Sequence, residues 1–198
     1  MLSYCAKRIS SFFVYTNIVK KEELEVYTYC FEILLATILN FTVLLIVALV
    51  TGTLWRTVFF LIGFLPLRRL AGGYHADTHF RCFLIMLGVY FAFLVAQNVI
   101  PIERYLIATI VCVSFSVLLI WLLAPVEAKN KPLSKKEKIF FRKRSRWASL
   151  IYVVAILLSI VVFGIGIEVL SVSLGILAVA GSLFATWVKE NVIKAKML

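Results

Sequence analysis

The chain has 198 residues, of which 63% are hydrophobic and only 16% charged. Soluble globular domains are about 45–50% apolar and about a quarter charged, so a water-soluble core is excluded and the bilayer becomes the expected solvent. The formal charge of +11 does not indicate nucleic acid, because the basic residues alternate with long apolar runs, as membrane orientation requires.

In chain order, the first 21 residues place Lys7 and Arg8 within a weakly apolar stretch. No long apolar core precedes a small-residue cleavage site, so this stretch does not read as a cleavable signal. Leu2, Cys5, Ile9, Phe12, Phe13 and Val19 approximate one helical stripe. That pattern fits a helix lying in the membrane interface, or else a solvated tail with scattered apolar residues.

Six apolar stretches follow, at about 24–50, 53–67, 82–100, 104–123, 147–166 and 169–188. A span needs roughly 20 residues at 1.5 Å each. The second is short and carries Arg56, so it is expected to be tilted, re-entrant or shielded by its neighbours. Both termini, 68–81 and 124–146 are assigned to the cytoplasm. All 21 basic residues except Arg56 and Arg104 then fall on that side, which satisfies the positive-inside rule. The expected fold is all-α: a polytopic helical membrane bundle of about six spans, one of them short, with an N-terminal interfacial helix. Residues 1–198 are expected to form a single membrane-embedded domain. The polar segment 124–146 reads as a loop whose cations attract anionic lipid headgroups or receive an acidic peptide.

Chemistry concentrates in the segment from Arg68 to Cys82, RRLAGGYHADTHFRC. It holds both histidines, the only aspartate (Asp77), the pair Gly72-Gly73 and a cysteine. A thiol attacks as thiolate, a form that nearby cations and a helix N-terminus favour. Cys82 follows Arg81, and His75 or His79 could supply the base. On one continuous helix His75 and Cys82 would stand about 10.5 Å apart along the axis, beyond the roughly 3.2 Å of a hydrogen bond. His75 therefore reaches Cys82 only if the chain bends between them, whereas His79 is closer on a helix. The alternative is that both histidines merely bond to backbone or water at the interface. Cys30 and Cys112 lack such neighbours and read as small apolar residues packed in the membrane, and no CxxC spacing suggests a metal.

Glu32 lies on the order of 12 Å into the first span. An intramembrane carboxyl is costly, so it either serves the site, by orienting a histidine or contacting substrate, or stays protonated between helices. No cofactor-binding loop is present, since GGYH lacks the GxGxxG spacing.

The sequence resembles the accessory gene regulator B (AgrB) family of Gram-positive quorum-sensing systems. The resemblance rests on Glu32 in the first span, on RRLAGGYHADTHFRC, and on LAPVEAKNKPL after the fourth span. It implies a membrane cysteine endopeptidase in a Gram-positive cell membrane, with His75 and Cys82 as the catalytic pair, and thus selects His75 over His79. Glu32, Arg68, Arg69, Gly72 and Gly73 become candidates to support the site or contact substrate. Asp77 matches no catalytic position. The substrate implied is a short AgrD-like precursor peptide with an acidic C-terminal tail. Cleavage through a thioester would be followed by closure to a thiolactone or lactone. A homodimer is also implied, although GIGIE at 164–168 offers only weak packing signal. A peptide exporter or a non-catalytic membrane scaffold would instead leave Cys82 dispensable.

Overall fold

Long apolar runs become long helices. The computed structural model describes residues 2–16, 18–73, 78–126 and 133–196. Among the described residues seven α-helices follow one another: α1 (Leu2–Tyr15), α2 (Leu24–Val50), α3 (Leu54–Ala71), α4 (His79–Val99), α5 (Tyr105–Leu123), α6 (Lys135–Phe163) and α7 (Ile167–Lys196). Short 3₁₀ turns precede α2 and α5. Among the described residues there is no strand, only an isolated parallel bridge between Gly72 and Val126.

Helices α2, α4, α5, α6 and α7 are long and apolar enough to cross a membrane. The chain is therefore a multi-pass membrane protein. The 27 residues of α2 span about 40 Å, more than the roughly 30 Å hydrocarbon layer. Most of its large side chains are exposed, the expected arrangement for a helix whose solvent is lipid.

Contacts gather the chain into two compact units, residues 1–52 with 76–88, and residues 53–75 with 89–198. In the first unit α1 packs on α2. Ala6, Ser10 and Val19 are buried, and the Phe13 ring stacks on Phe31 with centroids 5.5 Å apart. The N-terminal helix is thus formed, with Cys5 and Phe12 of the apolar stripe exposed and Ala6 and Ser10 turned to α2. Small Ala6 and Ser10 permit the closer backbone approach. Ser10 satisfies its own hydroxyl on the Ala6 carbonyl at 3.0 Å.

In the second unit α3 and α7 cross closely. A side chain on Gly63 would collide with the Val172 carbonyl, and one on Gly175 with the Phe60 carbonyl. Two glycines on facing helices thus replace side-chain contact with backbone contact. Helix α3 is the second apolar stretch, longer than the expected 53–67 at its C-terminus. Its shielding is as the charge of Arg56 suggested: Phe60, Leu67 and Ala71 are fully buried. Phe60 also packs on Phe93 of α4, at 4.3 Å between centroids, and Thr57 shares a 2.7 Å hydrogen bond with Tyr90.

Helix α5 buries Tyr105, Thr109, Cys112, Ser116 and Leu119. Their alternating spacing of four and three is that of a helix–helix seam. Helix α6 corrects the expected loop at 124–146, for it is helical from Lys135 rather than from 147. Ser134 and Glu137 form a capping box, with bonds of 2.8 and 3.3 Å, and Lys and Arg are good helix formers. The cations from Lys135 to Arg146 therefore sit on an ordered helical surface.

Candidate active site

Helix α4 starts immediately before the cysteine singled out above. Thr78 caps it: its Oγ1 accepts from the Arg81 amide at 3.3 Å, and its carbonyl accepts from the Cys82 amide at 3.0 Å. Cys82 thus closes the first hydrogen-bonded turn, at the end where a helix carries partial positive charge. Thr78 itself lies outside the helix, which begins at His79. The Cys82 thiol is half-buried. Arg81 is exposed beside it.

All four thiols are free. Cys112 is buried in the α5 seam as expected, but Cys30 is exposed on α2 rather than packed. Burial separates Cys82 from Cys112. Its place on the capped first turn of a helix separates it from Cys30.

The other end of the segment is held at the C-terminus of α3, in the second unit. The Arg68 guanidinium donates from Nη1 to the Gly72 carbonyl at 3.0 Å and to Ser182 Oγ on α7 at 2.8 Å. Ser182 in turn donates to the Val179 carbonyl at 2.7 Å. The Gly72 amide closes on the Arg68 carbonyl at 3.1 Å, and the Val126 amide on that of Ala71 at 3.0 Å.

Gly72 has φ 76° and Gly73 φ 134°, conformations that side chains disfavour. Space forbids them as well. A Cβ on Gly72 would strike the Val126 carbonyl, and one on Gly73 the Arg68 guanidinium and Ser182 Oγ. The glycine pair therefore fixes the path of the chain as it leaves α3, beyond the general ease of bending inferred from sequence. The structure brings Arg68, Gly72 and Gly73 together.

Arg69 is exposed on the same last turn, outside this knot of bonds. Glu32 is half-buried on α2, next to the Phe31 that stacks on Phe13, in the first unit. His75 and Asp77 lie outside the described residues. Ser182 and Val126 were not anticipated. A serine among small residues and a valine after a proline carry no sequence signal of a role in anchoring a loop on another helix.

The family described as accessory gene regulator B matches the chain over residues 6–186. An AgrB-like protein of Listeria innocua is 29% identical over 171 residues, 86% of this chain and 78% of that protein. A Listeria monocytogenes AgrB-like protein is 30% identical over the same shares. The AgrB-like protein 2 of Clostridium perfringens is 29% identical over 167 residues, 80% of this chain and 75% of its own. No solved structure matches.

Proposed function

Because the chain belongs to the accessory gene regulator B family, whose role lies in accessory gene regulator peptide processing, we propose that it is a membrane cysteine endopeptidase that cyclises a short precursor peptide. The observation that carries this reading is the half-buried Cys82 thiol on the capped first turn of α4, seven positions after His75.

His75 takes the thiol proton, and Cys82 Sγ attacks a backbone carbonyl of the precursor. The tetrahedral intermediate collapses with cleavage of the C–N bond. The proton held by His75 passes to the departing amine, and the acidic tail leaves. The acyl group stays on Cys82 as a thioester. A Cys or Ser side chain of the same peptide then attacks that thioester, closing a thiolactone or lactone and returning the thiol. An intramolecular acceptor wins over water because it is held at high effective concentration, and a membrane-embedded site limits competing water.

The basic stretch 129–146 offers the acidic tail an electrostatic partner. Arg68, Gly72 and Gly73 act by fixing the chain that leads to His75, while Glu32 and Arg69 are candidates for substrate contact. The enzyme works in the cell membrane with both termini and the catalytic segment cytoplasmic, as a single functional domain and as a homodimer.

Acid-quenching the protein during turnover is expected to trap a precursor adduct on the Cys82 peptide, released by neutral hydroxylamine. Cleavage proceeding with no such adduct under single-turnover conditions would remove the thioester step.

The anchoring of residues 72 and 73 makes a separate prediction. Gly73→Ala should lower cleavage by about 10- to 100-fold, because its Cβ displaces the Arg68 guanidinium and a hydrogen bond to a charged group is worth about 1.5–3 kcal/mol. Ser182→Ala should lower it by roughly tenfold at near-constant KM, with partial recovery in Ser182→Thr. Wild-type rates in a folded Gly73→Ala protein would show that the path beyond Gly73 does not matter.

A further inference from the structure

At the C-terminal end of α5, a cleft of about 440 Å³ opens against α6, lined by Trp121, Ile139, Arg142, Lys143, Arg146, Trp147 and Leu150. The α6 members recur every three or four residues, so they form one face of the helix. Arg146 anchors the cleft. Its Nη2 donates to the Trp121 carbonyl at 2.9 Å, capping a carbonyl in the last turn of α5, where a cation is favourable. Its guanidinium carbon lies 5.2 Å from the Trp121 ring centre, within cation–π range. The indole is held in turn, with Nε1 donating to Ser149 Oγ at 3.2 Å. Arg146 Nε is buried and has no hydrogen-bond partner among the described residues.

We propose that this cleft is a binding site for one anionic phospholipid, its phosphate among Arg142, Lys143 and Arg146 and its acyl chain along Trp147 and Leu150. Three observations select a lipid over an acidic peptide. Arg146 is the last cation before α6 becomes an apolar span, so the site lies at the headgroup level. Tryptophans gather at that level, and here two of them flank the cations. The wall below the cations is apolar and continues into the span, which suits a single phosphate carried on a hydrocarbon chain. An extended tail of carboxylates would better match the exposed Lys135 and Lys136 farther out along the helix. The proposal goes beyond the peptidase reading and does not depend on it.

Native mass spectrometry of the full chain in mild detergent, with phosphatidylglycerol and phosphatidylcholine of identical acyl chains, tests it. One phosphatidylglycerol should remain bound in preference to phosphatidylcholine, and millimolar inorganic phosphate should not displace it. The triple variant Arg142→Gln, Lys143→Gln, Arg146→Gln should bind it on the order of 100-fold more weakly, since each cation near an anionic lipid surface contributes roughly fivefold. A variant of equal charge loss outside the cleft, Lys135→Gln, Lys136→Gln, Arg144→Gln, should retain the lipid and controls for net charge. Helical circular dichroism identifies a triple variant that has simply unfolded. In that case Arg142→Gln with Lys143→Gln, which leaves the Arg146–Trp121 contact intact, replaces it and should still lose at least about tenfold. Equal phosphatidylglycerol binding in the folded cleft variant and the wild type would overturn the proposal. So would displacement of the lipid by inorganic phosphate, or a cleft that retains an acidic decapeptide but no phosphatidylglycerol.

Discussion

Cys82→Ala is expected to abolish precursor cleavage while the protein still inserts and accumulates at the wild-type level. Removing the nucleophile of a covalent mechanism leaves only binding and electrostatic effects, and losses of about 10⁴- to 10⁶-fold are typical. The substitution should be structurally mild. Cys82 contributes only its amide to the first turn of α4, and alanine supplies the same amide with a good helix propensity. His75→Ala should show a loss of similar order, and the double variant should lose little more than either single one, because the two act as a unit. His79→Ala, by contrast, should keep most of the activity. Normal cleavage by Cys82→Ala would move the chemistry elsewhere and favour an exporter or scaffold. The other three cysteines should be replaceable.

The second large effect concerns the fold. Gly63→Leu or Gly175→Leu should collapse the folded protein, seen as loss of a monodisperse detergent-solubilised peak. At both positions the obstacle is a backbone carbonyl of the opposing helix, which cannot rotate away as a side chain could. Overpacking of an ordinary core costs about 1–3 kcal/mol, and a clash against backbone falls at or above the upper end of that range. Gly88→Ala is the matched control, because a Cβ there meets nothing within 4 Å. It should be neutral or slightly stabilising, by up to about 1 kcal/mol. Wild-type melting of Gly63→Leu would mean that α3 and α7 do not cross at these glycines.

The helix limits show where sequence reasoning succeeds and the helix crossings where it stops. Helix α2 runs over the expected 24–50, and α5 begins one residue inside the expected 104–123. Long apolar runs bounded by charged or turn residues leave little choice of limits. The start of α6 was less legible, because its first turns mix Ile139, Phe140 and Phe141 with a dense run of Lys, Arg and Glu that reads as a polar loop. Its signal was the capping pair Ser134 and Glu137. The C-terminal extension of α3 was hidden in a similar way by Arg68 and Arg69.

The α3–α7 crossing was not legible at all. Gly63 and Gly175 are 112 positions apart, and nothing local in either distinguishes a packing glycine from one that meets open space, such as Gly88. As a candidate nucleophile, Cys82 could be singled out from its neighbours alone. The choice between His75 and His79 depends on three-dimensional proximity, which spacing does not determine, and so it came from the family motif. The Arg68–Ser182 bond joins residues 114 apart and was equally out of reach.

The central claim, that Cys82 processes and closes a peptide, is tested most directly by weighing its products. Candidate small precursors would be co-expressed with the wild-type chain and with Cys82→Ala, and the released peptides measured by mass spectrometry. The mechanism predicts a peptide lacking the acidic tail and one water lighter than the corresponding linear fragment, present with the wild type and absent with Cys82→Ala. The same cyclic product from Cys82→Ala would contradict it.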